Sequence, residues 1–159
     1  MQLQLFIISI YKALVRPILE YCDCLWDPHQ QKYIIQLERV QSFAARVVTK
    51  RWQENALTLR EKLHWPLLSN RRIFHKICIC RRIHTNISII PCSVFTPHPS
   101  TSVRHINSCP LFKPYVKTHH HRSSFFISVI PLWNFIPNDI ITCKNNLTFK
   151  KYLKNFLNV

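Results

Sequence analysis

The 159-residue chain contains no glycine, where ordinary usage would supply about 11. That absence excludes every phosphate cradle built on glycine backbone, including the Walker loop and the dinucleotide fingerprint. It also removes the favoured residue of hairpin turns and helix C-caps, so helices joined by Pro- and Asn-containing loops are expected rather than a tight-turned sheet. Acidic residues are scarce as well: seven Asp and Glu face 22 Lys and Arg, a net charge of +15. Such an excess repels itself unless an anionic partner neutralises it. Nucleic acid is the first partner to consider and an acidic membrane surface the second, with a solvated, partnerless basic surface as the third reading. Two-metal polymerases and nucleases need clustered carboxylates. Only Glu20, Asp23 and Asp27 lie close together in sequence, and capping or ion pairing explains them as well as a metal does. No catalytic residue, metal or cofactor is therefore expected. Long apolar runs are scarce too: none is expected to reach bilayer-crossing length. The opening MQLQLFIISIYKALV lacks a basic leader and a small-residue cleavage site. An intracellular chain without a membrane partner is the expectation.

Cysteine is present, in an odd number: Cys22, Cys24, Cys78, Cys80, Cys92, Cys109 and Cys143. Without a secretion signal a disulfide framework is unsupported. Zinc is the sharper alternative, with His119, His120 and His121 nearby in sequence. Structural zinc takes cysteine pairs two to four residues apart, however, and both pairs here have one intervening residue. On a helix Cys78 and Cys80 would point about 200° apart. Reduced, partly buried thiols are the plainer reading.

The periodicity predicts a mainly α fold. An apolar helix over residues 3–16 should stop at Pro17. Asp27-Pro28 can cap and open the next helix, about 30–51. On that helix Ile34, Leu37, Val40, Ala44, Val47 and Val48 gather on one side. Lys32, Arg39, Arg46 and Lys50 fall within about 40° of one another on a different side, with Phe43 among them. A line of cations with a stackable ring suits a nucleic-acid strand; it equally suits a solvated face with Phe43 packed on a neighbour. Shorter helices follow over 56–64 and 68–85. In the latter, Ile73, Ile77 and Cys80 form the apolar side and Arg71, His75 and Arg82 the opposite, wet one. Residues 87–124, with five prolines, read as an irregular segment with room for short strands, carrying Arg104, Lys113, Lys117 and Arg122. The apolar stretch 125–137 should dock on the helices. A last helix, about 147–158, should turn Leu147, Tyr152, Leu153 and Phe156 inward and Lys150, Lys151 and Lys154 outward. A division into residues 1–86 and 87–159 follows from the change in composition.

Several blocks occur in order along the chain: Tyr11 to Cys22 (YKALVRPILEYC), Leu25-Trp26-Asp27-Pro28, Leu37-Glu38-Arg39-Val40-Gln41, Ala44 to Thr49 (AARVVT), Leu63-His64-Trp65-Pro66-Leu67 with Arg71-Arg72, Ser124-Phe125-Phe126, Ile130 to Pro137 (IPLWNFIP) and Thr148-Phe149-Lys150. Together they resemble the region just downstream of the polymerase core in non-LTR retrotransposon (jockey-like, LINE-type) reverse transcriptases, and cover about residues 10–157. The resemblance implies a helical thumb-like bundle followed by the proline-rich segment and a terminal helix. It also implies that the metal-binding aspartate pair of the RNA-directed DNA polymerase lies upstream, so no catalytic residue carries over. Under it, Cys22 and Cys24 are packing residues at a thumb-helix end. The expected partners are RNA or an RNA–DNA hybrid, and an upstream polymerase domain. The nucleic-acid contacts would come from Lys32, Arg39, Phe43, Arg46, Lys50, Arg71, His75 and Arg82. The alternative is a vestigial, element-derived protein-interaction module with no activity of its own; the absence of glycine departs from the family pattern.

Overall fold

A computed structural model describes residues 2–99 and 107–159, and Arg104 lies outside them. The chain is mainly helical, as the periodicity predicts, with no strand among the described residues. It forms two compact units, Met1–Arg72 with Val159, and Ile73–Asn158.

The first unit opens with helix α1, Gln2–Glu20, which does not stop at Pro17. A π-turn over Tyr11–Val15 precedes the proline, and the Arg16 N–H donates to the Tyr11 carbonyl, five residues back. Widening the ladder there lets a residue without an N–H enter the helix without breaking it. The expectation that no apolar run reaches bilayer length is also corrected. α1 is long and apolar enough to cross a membrane by length and composition, and only 6% of it is buried. Tyr11 is its anchor: it is buried and stacks on Trp65 with ring centroids 4.4 Å apart. Ala45, Val48 and Leu59 complete that core, with Ile7, Ile8, Val15, Ala44 and Leu63 around it.

The short helix α2, Asp23–Trp26, leads to α3, Gln31–Thr49. Asp27 does not cap α3, whose N-cap is Gln30; its carboxylate instead accepts from Arg72 Nε at 2.7 Å. The buried side of α3 is Gln41, Ala45 and Val48, while Val40 is exposed. The seam is thus rotated by about 60° from the apolar side read from the sequence. Two contacts set the rotation. Ala45, fully buried, has little side chain to keep neighbours away, and Gln41 Nε2 donates to the Pro66 carbonyl at 2.9 Å. Helix α4, Ala56–Lys62, is capped by Asn55, whose side-chain oxygen accepts from the Leu57 N–H. With no glycine to use, left-handed backbone falls to Cys22, Lys50, His64, Asn86 and Asn158, several of them at helix ends.

Helix α5, Leu68–His84, begins in the first unit and runs into the second. Of the expected wet side only Arg82 is exposed, Arg71 and His75 being half-buried, while the neighbouring cations Arg72, Lys76 and Arg81 are buried along with Phe74, Ile77, Cys80 and Ile83. Such cations go inside only where acceptors await them, and those acceptors lie far along the chain. After α5 a 3₁₀ turn, Cys92–Val94, and an isolated antiparallel bridge, Pro97 to Leu111, give the irregular segment its only pairing among the described residues. Helix α6, His119–Ser123, is short and its histidines are exposed. Helix α7, Phe125–Asn134, buries Phe125, Ile127, Val129, Ile130 and Trp133. Trp133 Nε1 donates to the Cys109 carbonyl at 3.0 Å, and the Asn134 side chain both donates to and accepts from the Leu111 backbone, each at 2.9 Å. After the turn α8, Asn138–Ile141, comes α9, Asn146–Leu157. Its inward residues are Phe149 and Leu153; Leu147, Tyr152 and Phe156 are exposed, contrary to expectation. The Asn146 side chain accepts from Arg81 Nε, which orients the first turn and brings Phe149 under the guanidinium, 4.2 Å from its ring centroid.

Candidate nucleic-acid interface

The residues of the sequence blocks are one another's partners. In the first unit Tyr11 stacks on Trp65, Glu20 takes a two-point ion pair from Arg71, Asp27 pairs with Arg72, and Gln41 binds Pro66. Glu38 accepts from Arg60 Nη1 and from the Ser69 N–H, both at 3.0 Å. These residues hold helices together. They are consumed in doing so and are not available to a ligand. Glu20, Asp23 and Asp27 form no metal cluster: two hold arginines, and Asp23 is buried, accepting from Cys24 Sγ at 3.3 Å.

This pairing sorts the cations of the first unit. Arg16, Arg51, Arg60, Lys62, Arg71 and Arg72 each have a carboxylate within 4 Å. Among the described residues of this unit, Lys12, Lys32, Arg39, Arg46 and Lys50 do not. Four of those five are the α3 stripe. Its helical members Lys32, Arg39 and Arg46 lie about 150° around the helix from Gln41, Ala45 and Val48, so the buried side and the charged side are almost opposed, and Lys50 follows as the left-handed C-cap residue. Lys32, Arg39 and Lys50 are exposed; Arg46 is half-buried, and its Nε is buried without a hydrogen-bond partner. Phe43, 59% exposed, meets Trp52 edge-on at 5.9 Å, and Trp52 is itself 56% exposed. Sequence reading missed Trp52 because it lies beyond the helix end, where periodicity gives no placement. Lys32 Nζ sits 4.6 Å above the Tyr33 ring. Beside the stripe, a groove of about 540 Å³ is lined by Trp26, Pro28, Tyr33, Leu37 and Val40, among others.

The remaining predicted site residues lie on α5. Arg71 is committed to Glu20. His75 and Arg82 belong to the second unit; His75 is half-buried, its ring 5.8 Å from Phe74, and Arg82 is exposed. The second unit carries its charge differently. Of the chain's seven carboxylates only Asp139 falls between residues 73 and 158, against eleven Lys and Arg, a net +10. That asymmetry is readable in the sequence and marks Lys150, Lys151 and Lys154, all exposed on α9, as further free cations.

All seven cysteines are free thiols. Burial holds Cys80 far above the ordinary thiol range and pushes Cys78 up to about 11, so neither is a nucleophile near neutral pH. Cys24 packs inward while Cys22 is exposed at a left-handed turn, so only one of that pair is a packing residue. No group of three or more metal-ligating side chains occurs among the described residues. His84, beside the Trp133 ring, has its pKa lowered by burial and then by Arg81. No protein-family model, curated protein or solved structure matches the chain.

Proposed function

We propose that this chain is a non-catalytic nucleic-acid-binding region that grips the backbone of RNA or an RNA–DNA hybrid, corresponding to the thumb and downstream part of a non-LTR retrotransposon reverse transcriptase. One observation carries the binding reading: the ion pairs of Glu20, Asp27, Glu38 and Glu54 all go to other cations, and none goes to the α3 stripe. Solvent-facing cations aligned along a rigid helix neutralise successive phosphates and release counterions, without regard to base sequence. The rings of Phe43, Trp52 and Tyr33 beside those cations supply π-faces for unpaired bases.

The test is the salt dependence of binding to an RNA–DNA hybrid of about 20 base pairs. The fourfold variant Lys32→Gln, Arg39→Gln, Arg46→Gln, Lys50→Gln should flatten the slope of log K against log salt by about 3, given roughly 0.7–0.9 per phosphate neutralised. Circular dichroism on both proteins checks that helix content is kept. Equal slopes end the binding reading.

A second reading, a protein-interaction module, has its own observation. Leu3, Leu5, Phe6, Leu14 and Ile18 are each more than half exposed along α1. An apolar face of that kind fits docking on another protein body, which under the family reading is the upstream polymerase domain.

A further inference from the structure

The α3 stripe leaves unexplained why the second unit concentrates cations around one small pocket. Between the last turns of α5 and the first turn of α9 lies a cavity of about 160 Å³, lined by Cys78, Arg81, Arg82, Asn146, Phe149 and Lys150. Its volume is below the roughly 300–1,000 Å³ that encloses a whole small molecule, so it suits a single group. Three of its six lining residues are cations and none is a carboxylate.

Arg81 sets the chemistry. It is 5% exposed, and its guanidinium donates to Asn146 Oδ1, the Ile141 carbonyl (both 3.0 Å) and the Cys143 carbonyl while lying over the Phe149 ring. Each of those partners is neutral. They fix the guanidinium but leave its charge uncompensated, where a buried cation ordinarily takes a counter-ion. Burial lowers the Arg81 pKa, yet an arginine stays protonated. Arg82 and Lys150 are exposed beside it and have no carboxylate within 4 Å among the described residues. One turn beyond Lys150, Lys154 stands 5.7 Å over the Phe74 ring and continues the positive face.

We propose that this pocket is a phosphate seat, in which the fixed charge of Arg81 forms the floor and Arg82 and Lys150 close on one phosphodiester group of a nucleic-acid strand. The choice of a strand as the phosphate's source rests on the binding function proposed above; the pocket's preference for an anion does not. The exposed Arg82 guanidinium suits the seat because its planar donors meet two phosphate oxygens at once, Arg81 acts through its fixed charge, and Lys150 adds a mobile point charge.

The experiment measures binding of the full chain to a fluorescent single-stranded RNA of about 20 nucleotides as salt is raised from about 50 to 200 mM. Four proteins are compared: wild type, the double variant Arg82→Gln/Lys150→Gln, its charge-keeping partner Arg82→Lys/Lys150→Arg, and the α3 fourfold variant. The double variant should lower the slope by about 1.4, which weakens the affinity change across that salt range by about sevenfold. The charge-keeping variant should retain the wild-type slope. Because Arg82 and Lys150 are exposed, both proteins should keep wild-type circular dichroism. A double variant with the wild-type slope and affinity overturns the phosphate seat, and leaves the α3 reading standing if the fourfold variant has lost slope. Loss of slope in the double variant alone supports the seat and overturns the α3 stripe. A wild-type chain that binds no RNA overturns both.

Discussion

Removing the Glu38 carboxylate should loosen the first unit more than any other single surface-adjacent change. Glu38 sits on α3 with its side chain 15% exposed, and it serves two clients. One is Arg60, whose side chain is 9% exposed and whose Nη1 lies 3.0 Å away. The other is the Ser69 N–H in the first turn of α5, also at 3.0 Å, so Glu38 caps that helix from outside it. Breaking a buried pair by deleting one member costs about 3–5 kcal/mol, because the partner stays buried and uncompensated. The partial exposure of Glu38 places this pair at the low end of that range, and the lost cap adds about 1 kcal/mol. Glu38→Ala should therefore cost about 3–4 kcal/mol. Glu38→Gln keeps one acceptor oxygen, enough for one of its two donor clients, and turns an amide donor toward the other while losing the charge, so it should cost about 1–3 kcal/mol. Deleting both charges in Glu38→Leu/Arg60→Met should recover part of the loss, since no lone charge is then left inside. Urea unfolding followed by circular dichroism reads the stability, and amide exchange at Ser69 reads the cap. If Glu38→Ala costs under about 1 kcal/mol, or Ser69 exchanges at its wild-type rate, the reasoning fails.

Two further outcomes follow from buried polar groups. The Tyr11 hydroxyl is buried without a hydrogen-bond partner, and desolvation pushes its pKa up to about 12. The unfolded chain therefore loses this proton first, and stability falls as pH rises from about 10 towards 12, by up to about 1.4 kcal/mol per pH unit. Tyr11→Phe should be neutral or stabilising by up to about 1 kcal/mol at pH 7 and should remove that alkaline loss, as read by thermal melts across pH. Asn134→Ala should cost about 2–4 kcal/mol, because it strips both partners from the buried Leu111 backbone; faster exchange of the Leu111 amide is the direct check.

Of the candidate site, the α3 stripe was the legible part. Lys32, Arg39 and Arg46 share a face because of helical spacing alone, and no neighbouring chain segment is needed to place them there; Lys50 follows the last helical residue in a left-handed turn that spacing does not place. That they are free of carboxylates was not legible. It depends on Glu20, Glu38 and Asp27 being claimed by Arg71, Arg60 and Arg72, partners 51, 22 and 45 residues away. Arg71 looked like a site residue for the same reason: its exposure was read from its own helix, while its counter-ion belonged to another. The pocket under Arg82 and Lys150 was invisible because its floor, Arg81, owes its position to carbonyls about 60 residues along the chain.

The sequence by itself determined the long amphipathic helices α3, α5 and α9, the positive charge and its near-complete separation from acid beyond residue 61, since periodicity and charge count are local or additive. The tertiary structure decided which way each helix turned. α3 turned to set Ala45 against its neighbours and Gln41 against Pro66; α9 turned to bring Phe149 beneath Arg81; α1 ran through Pro17 on a π-turn. An amphipathic pattern confines the buried face to a broad arc, and within that arc the choice is made by contacts that form only when distant segments meet.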